Sequence, residues 1–246
     1  MSDGLLLIHA FPLDAGMWDE QVARFGADVS VAAPHLPGFG GTAGAGETMT
    51  MAAAADHCRE AMDAAGMERA VVCGLSMGGY VALELWRRSP ERLSGLILAN
   101  TRAEADSPEG AAGRRKLAAR LREEGTGFLV EAPPPLLSAG APEGRWAVVR
   151  SMIAAQPAGS IAAAALGMAE RPDSTGDLPR IDVPTLVITS DADALIPADV
   201  SAAMAAKIPG ADFAVIPGAG HLSNLEAPAD FDDLVSAHLR RCSLTS

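Results

Sequence analysis

The chain alternates short, unbroken apolar runs with longer stretches in which apolar residues return every three or four positions. The runs are LLLIHA (5–10), VSVAAP (29–34), AVVCGL (70–75), LSGLILAN (93–100), PTLVITS (184–190) and DFAVIP (212–217), each bounded by Gly, Pro, Asp or Ser. Apolar runs of this length, with no regular polar alternation, predict strands covered on both faces, as crossover helices do for a parallel sheet. Helical spacing occupies 49–65, 77–88, 198–207 and 228–239, each stretch with one apolar stripe to lay on that sheet. The predicted class is α/β, with six parallel strands.

The alternation lapses between Asn100 and Pro184, where RRKLAARLREEG, the triple proline Pro133–Pro135 and an Ala-rich run appear without a convincing strand. The predicted organisation is therefore one core, residues 1–100 and 184–246, interrupted by an insertion over 101–183. The segment RRKLAARLREE carries charge on most faces and reads as a solvated helix. An insertion placed over the carboxyl edge of a parallel sheet is positioned to form a lid.

One junction carries chemistry. Gly74-Leu75-Ser76-Met77-Gly78 stands at the end of one predicted strand and the start of one predicted helix. So tight a turn forces its central residue toward positive φ and requires small neighbours two positions away. It would hold the Ser76 hydroxyl out at the carboxyl edge, with free N–H groups of the helix behind it. A serine hydroxyl attacks poorly unless a base takes its proton, so a histidine and a carboxylate must follow.

Of the five histidines, His221 lies in GAGHLSNLEAP, a Gly-flanked loop after the last predicted strand. His57 and His238 fall inside helical patterns, and His9 ends the first strand, where it braces a loop. The acid is expected from SDADALIP, after the strand PTLVITS, which offers Asp191 and Asp193 at the same sheet edge.

Composition narrows the partners. With 246 residues and 49% apolar content the chain can bury one sizeable core, and its net charge of −12 speaks against a nucleic-acid or anionic membrane surface. The three cysteines, Cys58, Cys73 and Cys242, are widely spaced and predict neither a disulfide framework nor a metal site. The opening residues carry no basic stretch before a short apolar run, so neither a signal peptide nor a membrane span is expected, and the reading is cytoplasmic.

With these residues in place the chain resembles the α/β-hydrolase family, in its serine-nucleophile branch, over nearly everything outside the insertion. The elbow at Gly74–Gly78, the acid loop SDADALIP and the histidine loop GAGHLSNLEAP carry the resemblance. It implies Ser76, Asp193 and His221 as catalytic residues, and the backbone N–H groups of Phe11 and Met77 as the oxyanion hole. Two departures stand out: His9-Ala10 replaces the family's His-Gly pair, and His35 in APHLPGFGGT occupies a position where aspartate is usual and is expected to be structural. The family's N-terminal β-hairpin is also absent from the pattern.

The layout is similar to 3-oxoadipate enol-lactone hydrolases and small carboxylesterases, which implies hydrolysis of a small-molecule ester or lactone through an acyl-enzyme, without metal or organic cofactor. Cofactor-free haloperoxidases or perhydrolases, carbon–carbon bond hydrolases and, in another class, non-catalytic small-ligand receptors share the fold. The expected pocket draws on Trp18, Arg102 and Leu222 beside Phe11 and Met77. With one tyrosine, six phenylalanines and three tryptophans in the chain, aliphatic walls and small or medium acyl groups are expected. No strong basic cluster points to a polyanionic substrate; Arg102, at the start of the insertion, is a candidate to meet a carboxylate.

Overall fold

The computed structural model describes residues 2–44 and 46–245. Its six strands are β1 (Ser2–Ile8), β2 (Ser30–Ala32), β3 (Met67–Leu75), β4 (Leu93–Ala99), β5 (Thr185–Ser190) and β6 (Asp212–Ile216). They form one sheet in the order β2-β1-β3-β4-β5-β6, every neighbouring pair parallel. The predicted strands are all present, and β3 starts three residues earlier than its apolar run.

The central strands behave as the unbroken runs require. Leu5, Leu6, Leu7 and Ile8 of β1, Val71–Cys73 of β3 and Leu96–Ala99 of β4 are fully inaccessible, with register pairs such as Leu6↔Val72 and Cys73↔Ile97. The edge strand β6 departs from the prediction. Phe213 is 41% and Val215 45% exposed at the rim of the sheet, where β6 has a neighbouring strand on one side only among the described residues.

Helices α1 (Asp19–Phe25), α2 (Met51–Ala64), α3 (Met77–Arg88) and α8 (Ala198–Ala205) supply crossovers, and α9 (Ser223–Glu226) and α10 (Pro228–Arg241) close the chain. Between β4 and β5 lie α4 (Pro108–Glu124), α5 (Gly127–Glu131), α6 (Glu143–Ala155) and α7 (Ala158–Ala169). Helix α1 is absent from the sequence reading, being only seven residues long. Thr50 caps α2 by accepting the Ala53 N–H, which sets that helix two residues inside its predicted start. Among the described residues no single helix is long and apolar enough to cross a membrane.

From β1 the chain steps outward to β2 and then crosses to β3 on the other side of β1. The strand order thus reverses between β1 and β3, and the crevice beyond the carboxyl ends of those two strands is where open α/β sheets bind ligands.

Candidate active site

Ser76 follows β3 with φ 57° and ψ −114°, a conformation costly for a residue with a side chain, and the surroundings enforce it. Its N–H donates to Ala99 O at 2.9 Å and its carbonyl accepts the Thr101 hydroxyl at 2.7 Å, so the end of β4 clamps the turn from both sides. A Cβ added to Gly74 would run into the Gly78 carbonyl, and one added to Gly78 would run into the Ile8 carbonyl at the end of β1. These two glycines are therefore steric requirements. They bring the start of α3 against the loop that follows β1.

The structure brings Ser76, His221 and Asp193 together. His221 Nε2 lies 2.7 Å from Ser76 Oγ, and His221 Nδ1 lies 2.8 Å from Asp193 Oδ2. The carboxylate Oδ1 accepts the N–H groups of Leu195 and Ile196 at 2.8 and 3.0 Å, while Oδ2 also accepts the Asn100 amide at 3.0 Å. Burial alone would push the Asp193 carboxyl up; its bond with His221, the Ile196 N–H and the Asn100 amide outweigh that and hold it below its ordinary value. Because a carboxylate can only accept, His221 Nδ1 carries the ring proton and Nε2 is the acceptor facing the Ser76 hydroxyl. Asp191 points elsewhere: it is exposed and accepts the Gly218 N–H at 2.6 Å.

The His221 loop is fixed by the segment after α5. The Glu226 carboxylate accepts the N–H of Gly220 at 2.9 Å and both the N–H and the hydroxyl of Ser138, and Leu222 N–H donates to Leu136 O at 2.9 Å. A Cβ at Gly220 would strike the Leu137–Ser138 backbone, so the loop and this segment touch.

Phe11 N–H has no protein acceptor among the described residues, while its neighbour Ala10 N–H points at Met17 Sδ, 3.1 Å away. Met77 opens α3, so its N–H has no partner in a preceding turn. Phe11 lines the same cavity as Ser76, and Met77 is the next residue along the chain. Behind the Phe11 loop, His9 Nε2 accepts the Leu36 N–H at 3.0 Å and Nδ1 donates to Ala10 O at 3.1 Å. His35 Nδ1 accepts the Ala15 N–H at 3.2 Å, its carbonyl accepts from His57 Nε2 at 3.0 Å, and its ring occupies the space a side chain at Gly40 would need.

Two buried imidazoles, His9 and His238, set an acid limit on stability. Burial pushes His9 down to about 4, and does the same to His238 on α10, both from an ordinary 6.5. Between about pH 6.5 and pH 4 the unfolded chain binds protons there that the folded chain refuses, so stability falls as pH falls. Each group accounts for up to about 3 kcal/mol over that window and for nothing above it. The urea midpoint is expected to drop steadily from pH 7 to pH 4.5, and a midpoint constant over that range contradicts the account.

A cavity of about 290 Å³ opens above Ser76 and His221. Its walls are Phe11, Leu117, Pro134, Leu136, Met168, Leu195 and Ile196, with Tyr80, Arg102, Asp106 and Arg114 on the polar side. Of the expected pocket residues Phe11 and Arg102 line it, and the Arg102 guanidinium donates to Leu195 O at 3.1 Å. Trp18, Met77 and Leu222 do not; Met77 is fully buried at the start of α3. Trp18 sits in a 3-10 turn capped by Asp14, which turns its ring inward to lie 5.8 Å from Phe231; it is fully buried. Leu222 is likewise fully buried beneath its loop, and Leu136 faces the cavity in its stead. Most of the wall comes from residues 102–168, where sequence offers no register against the core. Asn100 was also missed, although a polar residue ending a buried strand at the carboxyl edge is a legible signal.

A parallel α/β sheet with a strained serine elbow at its switch point defines the class, and comparison with known proteins gives the family. Residues 5–234 match the alpha/beta hydrolase family, and the chain belongs to it. It is a carboxylic ester hydrolase. A thermophilic esterase from Thermogutta terrifontis, solved with malate bound, is 42% identical, with a TM-score of 0.93 over 98% of this chain and 92% of that one. The pimeloyl-(acyl-carrier protein) methyl ester esterase of Neisseria meningitidis serogroup B is 31% identical over 215 residues, 78% of this chain and 75% of that one. The 3-oxoadipate enol-lactonase 2 of Acinetobacter baylyi is 26% identical over 241 residues, 96% of this chain and 88% of that one.

Proposed function

We propose that the protein hydrolyses small carboxylic esters or lactones through an acyl-enzyme on Ser76. The observation that carries this reading is the unbroken chain Ser76 Oγ to His221 Nε2 at 2.7 Å and His221 Nδ1 to Asp193 Oδ2 at 2.8 Å, on the floor of a cavity. His221 takes the hydroxyl proton as Ser76 Oγ attacks the carbonyl carbon, and the N–H groups of Phe11 and Met77 receive the developing oxyanion, each donor contributing about 3 kcal/mol. His221 then gives the proton to the leaving oxygen; in a lactone that oxygen stays tethered to the acyl group. Water, deprotonated by the same imidazole, attacks the acyl-enzyme and releases the acid. Asp193 holds the ring in this tautomer and balances the imidazolium.

Residues 101–183 act as a cap that shapes the acyl site, as the contributions of Leu117, Leu136 and Met168 to its wall suggest. Hydrolysis of p-nitrophenyl acetate, butyrate and octanoate tests the reading. Ser76-dependent turnover falling off at octanoate is the expected result; peroxide-dependent halogenation without ester turnover would overturn it.

The polar wall favours an acyl or alcohol portion that ends in a carboxylate. Arg114 and Arg171 share Asp106, whereas Arg102 pairs with no carboxylate among the described residues, and the related Thermogutta esterase was solved with malate. Arg102→Gln is expected to raise KM for a dicarboxylic half-ester about 10-fold, the worth of one charge-assisted hydrogen bond. KM for p-nitrophenyl acetate should stay where it was, and an equal rise for both esters would sink the assignment.

A further inference from the structure

We propose that Asn100 is a positioning residue that sets the Asp193 carboxylate against His221, an assignment that rests on the Ser76–His221–Asp193 reading. Asn100 is the first residue beyond β4, fully buried, with φ 44°, a left-handed conformation that asparagine accepts more readily than most side chains. Its N–H donates to Ile188 O at 2.8 Å, which ties it to β5 just before the acid loop.

The side chain is fully committed. Nδ2 donates to Asp193 Oδ2 at 3.0 Å and to Ser190 Oγ at 2.9 Å, and Oδ1 accepts the Ser223 hydroxyl at 2.7 Å. An amide has two N–H donors, and both are used; the Asp193 carboxylate, which can only accept, fixes which end of the amide faces the acid, and the Ser223 hydroxyl donates to the other. Asp193 Oδ2 is the same oxygen that meets His221 Nδ1, so the amide and the imidazole converge on one atom. Ser223 lies two residues beyond His221. The amide therefore links the acid loop to the histidine loop.

The flanking residues complete the arrangement. Ala99 O accepts the Ser76 N–H and the Thr101 hydroxyl donates to Ser76 O, at 2.9 and 2.7 Å. Three consecutive residues at the end of β4 thus hold the nucleophile's backbone, the acid's carboxylate and the histidine's loop. Through these two bonds the outer two act on the Ser76 backbone. Only the Asn100 side chain reaches the polar chain through which the proton moves.

The test compares wild type, Asn100→Ala and Ser223→Ala with p-nitrophenyl acetate across pH, reading kcat and KM separately, with Ser76→Ala in the same series. Asn100→Ala is expected to lower kcat about 10- to 100-fold, the scale of a mispositioned catalytic group. KM should hold within about twofold, because no substrate contact is lost. The acid limb of the pH profile should move to higher pH: without the amide, Asp193 Oδ2 keeps His221 Nδ1–H as its one partner among the described residues, and its charge falls more strongly on the imidazolium. Ser223→Ala should move kcat and the limb the same way by less, since it frees the amide without removing it.

Wild-type kcat in Asn100→Ala, beside an inactive Ser76→Ala, overturns this proposal alone. A rate loss with the acid limb unmoved and KM raised in proportion also overturns it, since that is the signature of a mere structural prop. Should Asn100→Ala not fold, wild-type kcat and acid limb in Ser223→Ala overturn it instead. Activity surviving in Ser76→Ala would remove the reading beneath it.

Discussion

Ser76→Ala is expected to fold as the parent does and to lose about 10⁶-fold in kcat toward p-nitrophenyl esters, the cost of deleting the nucleophile from a triad that works as a unit. The stability half of this expectation follows from the contacts. Among the described residues Ser76 Oγ bonds only His221 Nε2, whereas the bonds that pin the elbow, from Ser76 N–H to Ala99 O and from the Thr101 hydroxyl to Ser76 O, involve the Ser76 backbone and survive. Alanine keeps the Cβ, so the positive φ is no worse than in the parent, and no cavity larger than a hydroxyl opens. The change in stability should stay within about 0.5 kcal/mol. Residual turnover of about 10³- to 10⁴-fold over water would come from the Phe11 and Met77 N–H groups and from binding alone. Turnover in Ser76→Ala within tenfold of wild type would refute nucleophilic catalysis by this residue, and matched thermal unfolding of the two proteins separates that result from misfolding.

The same contacts explain what could be read from sequence. The sheet is legible because β1, β3 and β4 are buried on both faces, so each announces itself as an unbroken apolar run; β6 gives the same signal although its Phe213 and Val215 face solvent. The elbow is legible because Gly74 and Gly78 answer to local backbone collisions, which depend on spacing in the chain. The pocket depends on where α4 and α7 lie over the sheet, and short-range pattern carries no such distance. Hence Trp18 and Leu222, large apolar residues expected in the wall, pack into the core instead, and Leu117, Leu136 and Met168 line the cavity. Choosing between Asp191 and Asp193 had the same difficulty. Both leave β5 at the right edge, and only the tertiary contacts of the loop separate them.

Those contacts make the second large effect specific: Asp193→Asn is expected to lower kcat by about 10⁴-fold while Asp191→Asn stays close to wild type. The Leu195 and Ile196 N–H groups both point at Asp193 Oδ1, so an asparagine there must turn its carbonyl oxygen toward them. Its NH₂ then takes the place of Oδ2, facing His221 Nδ1 on one side and the Asn100 Nδ2 donor on the other. Donor against donor forces the imidazole to carry its proton on Nε2, where it can no longer accept from Ser76, and presses Asn100 to turn against the Ser223 hydroxyl. The variant loses the base and disturbs the group that positions the acid. Asp191 needs only to accept the Gly218 N–H, which an asparagine oxygen does as well. The check is kcat for both variants with p-nitrophenyl acetate, together with the imidazole proton resonances of His221 by NMR, where Asp193→Asn should move the ring proton from Nδ1 to Nε2. A large loss in Asp191→Asn with Asp193→Asn unharmed would transfer the acid role to Asp191. A large loss in Asp193→Asn with the proton still on Nδ1 would leave the assignment but refute the tautomer as its cause.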